Sequence, residues 1–115
     1  MYNKAYEILK NKTDKRLVKG FYFDDRNNCY CALGSLNTNV VITKIYKKNR
    51  NMFGVGHNNG EIYDLLNLNS IGLNLEEAKV LQYENDFGEF NNDPATTPEI
   101  RYNKVLEFLK EKVKQ

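Results

Sequence analysis

The sequence predicts an α+β fold, with three to five short helices packed with one or two antiparallel β-hairpins, in a single domain over residues 1–115. Three observations predict it. The last segment carries an apolar stripe at helical spacing behind a clear helix start. An aromatic and β-branched run near residue 20 breaks at a polar turn and resumes, as a hairpin does. The chain is 41% hydrophobic and 28% charged over 115 residues, which supports one modest core.

The elements follow in order. Residues 3–11 read as a helix with Ala5, Ile8 and Leu9 on one face. Residues 17–23 read as a strand, Asp24 to Asn28 as a polar turn, and Cys29-Tyr30-Cys31 as the returning strand. Ala32-Leu33-Gly34-Ser35-Leu36 opens a short helix directly from that strand. Val40-Val41-Ile42-Thr43 is β-branched, so residues 40–56 are expected to form a second hairpin. Its turn would be Lys47 to Asn51; a helix with Val41 facing Ile45 is the alternative. Residues 60–67 and 74–85 read as helices, the second capped by Asn74 with Glu76 and Glu77 in its first turn. Thr97 and Pro98 start the last helix, with Tyr102, Val105, Leu106, Leu109 and Val113 as its stripe.

Composition excludes some classes. No apolar run is long enough to span a bilayer, and residues 1–5 lack a signal-type stretch, so a cytoplasmic protein is expected. Cys29 and Cys31 are too close to close a useful loop and are expected reduced. Two Cys and one His do not make a zinc set, and no cofactor motif is present, so neither metal nor cofactor is expected. The 17 Asn and 13 Lys residues point to an A/T-rich genome, such as a low-G+C bacterium or its phage. Residues 1–50 hold 11 Lys/Arg and 4 Asp/Glu (net +7), whereas residues 51–115 hold 6 and 11 (net −5). Such asymmetry fits either an anion-binding face or two halves that complement each other.

Two stretches stand out: Gly20 through Leu36, ending in Tyr30-Cys31-Ala32-Leu33-Gly34-Ser35-Leu36, and Asn85-Asp86-Phe87-Gly88 with the closing helix. Together they resemble a family of small bacterial and phage proteins with no assigned activity. That family's pattern is a glycine, an acidic turn, a "CALGAL"-like strand-to-helix junction, a later Asn-Asp pair and a final helix. The resemblance covers residues 17–37 and 74–113, leaves out 38–60, and implies a domain without implying a reaction.

The residues themselves offer three functional readings. The first is a non-enzymatic binding protein that takes a small anionic, nucleotide-like ligand or a host protein. It would be phage- or mobile-element-encoded and would counter host defence by sequestration. Lys44, Lys47, Lys48 and Arg50 would supply charge, and Tyr30 or Tyr46 would stack. Gly54, Gly56 and His57, in a loop reaching Gly60, would supply donors, and Asn85 and Asp86 would complete the site. The second is a cysteine-dependent hydrolase or transferase. A cysteine opening a helix has its thiolate favoured, and Cys31, His57 and Asn85 or Asp86 stand in the chain order of papain-like enzymes. A local reading competes for Asn85-Asp86: a helix end with Phe87-Gly88 as a left-handed turn. The third is a homodimeric interaction module, because eight Tyr and six Phe exceed what a small core needs. Sequence-specific DNA binding is not expected, since the helix of residues 74–85 is acidic.

Overall fold

The computed structural model describes residues 2–49, 53–57 and 62–114. The fold is α+β, and among the described residues the sheet is three-stranded and antiparallel in the order β2-β1-β3. Strand β1 (Phe21–Asp24) turns through residues 25–28 into β2 (Cys29–Tyr30). Buried Asp24 holds that turn by accepting from the Arg26 amide at 3.0 Å and from Asn27 Nδ2 at 2.7 Å. The register pairs Phe23 with Tyr30 and Asp24 with Cys29. The expected first hairpin is therefore present.

The second hairpin is not. Residues 38–49 form one helical segment, α3, with a π stretch over Val41–Tyr46 between short α turns at Thr38–Val40 and Lys47–Asn49. Val41 and Ile45, four apart, are buried, while Ile42, Lys44, Lys47 and Lys48 are exposed. The helical spacing of two inward residues among outward lysines prevails over β-branched propensity. Strand β3 (Gly54–Gly56) pairs instead with β1, placing Phe21 against Gly56, Phe23 against Val55 and Asp24 against Gly54. An irregularity between Phe21 and Phe23 gives β1 one residue more than β3 there, which accommodates fully buried Tyr22.

The helices cover the sheet and one another. Helix α1 (Asn3–Lys10) buries Ala5 and Leu9. Helix α2 (Ala32–Leu36) is buried throughout. It lies so close to β1 that a Cβ on Gly34 would sit 1.9 Å from the Tyr22 carbonyl oxygen, so only glycine fits. Helix α4 (Ile62–Leu65) is short. Helix α5 (Leu75–Phe87) starts in a full capping box. Asn74 accepts from the Glu77 amide at 2.8 Å, and the Glu77 carboxylate accepts from the Asn74 amide at 3.0 Å. Helix α6 (Pro98–Val113) is capped by Thr97, which accepts from the Ile100 amide at 3.2 Å.

Tyr102, Val105 and Leu109 of α6 are buried and pack on α1, and the Tyr102 hydroxyl donates to the Leu9 carbonyl at 2.6 Å. Each such fully buried aliphatic side chain stabilises by about 1.5–3 kcal/mol. Among the described residues, no helix is long and apolar enough to cross a membrane.

Candidate active site

Three segments meet beneath α2: the strand-to-helix junction at Cys31, the end of β3 at His57, and the last turn of α5 at Asp86. Each is held by named bonds. Cys31 is extended, with φ −77° and ψ −178°, and it caps α2, its sulfur accepting from the Gly34 amide at 3.4 Å. Its own amide reaches the Tyr22 carbonyl at 3.4 Å. The His57 amide donates to the Gly20 carbonyl at 3.0 Å, which fixes the first residue after β3. The His57 ring meets the Tyr22 ring edge-on at 4.5 Å.

Asp86 Oδ2 pairs with His57 Nδ1. Its other oxygen accepts from the Gly20 amide at 3.1 Å and from Asn85 Nδ2 at 2.9 Å. Gly20 thus offers its N–H to Asp86 and its C=O to His57 from a left-handed φ of +87°. That conformation costs glycine nothing and strains other residues. Fully buried Asn85 ties the cluster together, accepting from the Ala32 amide at 3.1 Å and donating to the Val18 carbonyl at 2.9 Å. Arg101 Nε donates in turn to the Asn85 carbonyl at 3.3 Å.

The Asn85-Asp86 pair does stand at a helix end, but the left-handed turn expected after it is absent. Helix α5 runs through both to Phe87, and Gly88 has φ −58°, outside the left-handed region. Besides their bond to each other, both side chains reach distant segments.

Electrostatics follow from this packing. Burial by itself would lower the proton affinity of His57, but the Cys31 sulfur and the Asp86 carboxylate beside it raise its pKa to about 10. Burial works against the Asp86 charge, yet hydrogen bonds from His57, Asn85 and Gly20 hold its pKa below the ordinary carboxylate value. His57 Nε2 is buried and has no well-formed hydrogen bond among the described residues. The Cys31 sulfur is near enough to act electrostatically on the ring. Thiol–imidazole contacts are often long before substrate binds.

Two tyrosines and a glutamine border the cluster. The hydroxyls of Tyr22 and Tyr63 both donate to Gln82 Oε1, at 3.1 and 2.5 Å. Burial, then the charges of Cys31 and Asp86, push the Tyr63 phenol up to about 12, and Tyr22 is raised further. Sequence reasoning did not single out Tyr22, Tyr63 or Gln82. Gln82 was open to discovery, because it precedes Asp86 by one helical turn on the same face.

The structure does not gather the other expected site residues around this centre. Lys44, Lys47 and Lys48 are exposed on α3, with no hydrogen bond or ion pair to Cys31, His57 or Asp86 among the described residues. Tyr46 and Tyr30 are half-buried with their rings on Phe23, at 5.1 and 4.8 Å. Gly54 and Gly56 belong to β3 rather than to an open anion-binding loop. Arg50 and residues 58–60 lie outside the described residues.

No protein-family model matches the chain, and comparisons with curated proteins and with solved structures give no match.

Proposed function

We propose that this protein is a cysteine-dependent hydrolase or acyltransferase in which Cys31 is the nucleophile, His57 the general base and acid, and Asp86 the residue that orients the imidazole. One observation carries the reading: His57 is bound through Nδ1 to a buried carboxylate, which leaves Nε2 for the sulfur of a helix-capping cysteine.

The chemistry follows from those contacts. The attacking form carries the proton on the imidazole and the sulfur as thiolate. The thiolate attacks the carbonyl carbon of an ester, thioester or amide, forming a C–S bond while the carbonyl π pair moves onto oxygen. Collapse of that intermediate re-forms the C=O and expels the alcohol, thiol or amine, which takes the proton from His57 Nε2. Water, or an acceptor amine or alcohol, then attacks the acyl-cysteine and gives its proton back to His57. The C–S bond breaks and the thiolate returns. Asp86 remains ionised throughout and stabilises the imidazolium.

The anion-binding reading has less support. Its basic residues do not converge on the polar centre, and its glycines are paired in the sheet.

The two cysteines supply a built-in control. Cys29 and Cys31 are both covered, at 1% and 0% exposure, so static exposure does not favour either in alkylation. Iodoacetamide at pH 7, read by peptide mass spectrometry, should label Cys31 faster than Cys29 by about two orders of magnitude. Equal, slow labelling of both would sink the proposal.

A further inference from the structure

We infer that Gln82 is the oxyanion donor of this site: its side-chain amide nitrogen hydrogen-bonds the substrate oxygen that becomes anionic when Cys31 attacks. The inference rests on the thiol-hydrolase reading above and adds the group that stabilises the charge created by the attack.

Three of the backbone donors around the start of α2 are already engaged. The Cys31 amide is directed at the Tyr22 carbonyl, the Ala32 amide at Asn85 Oδ1, and the Gly34 amide at the Cys31 sulfur. Of the first-turn donors of α2 this leaves the Leu33 amide alone, so an oxyanion formed at Cys31 has room for a further donor from outside α2.

Gln82 meets the requirement by placement and by chemistry. It stands one turn before Asp86 and three residues before Asn85 on α5. Asp86 reaches His57, and Asn85 reaches the residue after the nucleophile. Gln82 stands on the same helix face and reaches Tyr22 and Tyr63, which border the junction of β3 and α2. Tyr22 confirms the proximity, with its ring against His57 and its hydroxyl on Gln82.

The two tyrosines also fix which end of the amide is held and which is left to donate. Oε1 accepts from both hydroxyls, which uses both of its lone pairs. The NH₂ end can only donate, and among the described residues it has no hydrogen-bond partner. An amide held in this way is a preorganised donor, and such donors are where electrostatic catalysis is concentrated.

Two reactions of the same sulfur separate this role from a structural one. Acylation by p-nitrophenyl acetate passes through an oxyanion. Alkylation by iodoacetamide is displacement at a saturated carbon and forms none. The readout is the ratio of the two rates at Cys31, which cancels any change in the nucleophile itself. Gln82→Ala should lower acylation by about 10²–10³-fold and leave alkylation nearly unchanged. Gln82→Glu keeps an acceptor for both tyrosines and removes the donor, so it should show the same split even if the alanine variant folds poorly.

An unchanged ratio in Gln82→Glu, whether both rates hold or both fall together, would overturn the assignment. That result is distinct from failure of the triad, which would show in the unmodified protein as equal, slow alkylation of Cys29 and Cys31.

Discussion

Cys29 and Cys31 lie two residues apart, equally buried, and their surroundings could hardly differ more. Cys29 sits in β2, its thiol donating to the Tyr30 carbonyl at 3.8 Å. Burial pushes that thiol up to about 11, and the nearby Arg16 charge is too weak an offset. Cys31 has left the strand. Its sulfur accepts an amide at the start of α2 and acts electrostatically on an imidazole that a carboxylate holds in place. Burial by itself silences a thiol, whereas a protonated partner beside it favours the thiolate, and the proposed function rests on that difference. The difference between the two cysteines is set by residues 26 and 55 positions further along the chain, His57 and Asp86.

The strongest way to break that contrast is to remove the imidazole. His57→Asn keeps a donor for Asp86 and deletes the base, so Cys31 should fall towards Cys29 in alkylation rate at pH 7, by about 10²-fold or more. The same variant tests the electrostatics through stability. The folded-state pKa of His57 lies above its ordinary 6.5, at about 10. Its contribution is therefore complete below about pH 6.5, declines as the pH rises, and is gone above 10. The Asp86 contribution has the opposite sign, because its pKa is lowered. It is present above the ordinary value of 3.8 and is lost on acidification through the folded-state value. Melting temperatures of the unmodified protein should fall between pH 6.5 and 10, and His57→Asn should flatten that fall. Parallel curves for the two proteins would show that His57 does not carry this charge.

A smaller effect is expected from Asn85→Ala. Loss of the amide strands the Ala32 N–H and the Val18 C=O inside the protein and removes one donor to Asp86. Each unsatisfied buried group costs about 1–3 kcal/mol, so a loss of about 2–4 kcal/mol is expected by chemical denaturation. Because Asn85 joins α5 to the residue after Cys31, Cys31 reactivity should fall with it while Cys29 stays inert. A loss under about 0.5 kcal/mol would mean that Asn85 is not the tie described above.

How much of this was legible depended on whether the signal was local. Helices α1, α2, α5 and α6 and the first hairpin could be read because their starts and stops are written in adjacent residues. Asn74 with Glu77, Thr97 with Pro98, and the polar run from Asp24 to Asn28 are such signals. Residues 40–56 misled because Val40-Val41-Ile42-Thr43 favours a strand taken alone, while burial of Val41 and Ile45 four apart decides for helix.

That misreading matters for the site, because β3 brings His57 to Gly20 only when it pairs with β1 rather than with residues 40–43. Chain order named Cys31, His57 and Asp86 as one alternative, but their meeting depends on this non-local pairing and on α5 continuing through Asp86. The same physics hid Gln82, whose role depends on two tyrosines from β1 and α4.

The smallest expected effect is at the lysines of α3, and it sharpens the comparison by bounding it. Lys44, Lys47 and Lys48 are exposed and form no bond to the polar centre. Exposed charges of this kind are screened by solvent and salt, and removing them changes stability by no more than about 0.5 kcal/mol. The triple change of Lys44, Lys47 and Lys48 to Ser should therefore leave both the melting temperature and the Cys31-to-Cys29 labelling ratio where they were. A large fall in that ratio would mean that the cationic face of α3 acts on Cys31 across the sheet, so that charge beyond His57 and Asp86 separates the two cysteines. A thermal-shift screen of the same triple variant against nucleotides carries the remaining question. If the unmodified protein is stabilised by such an anion and the variant is not, α3 binds it, and the basic half of the chain has a use separate from the thiol centre.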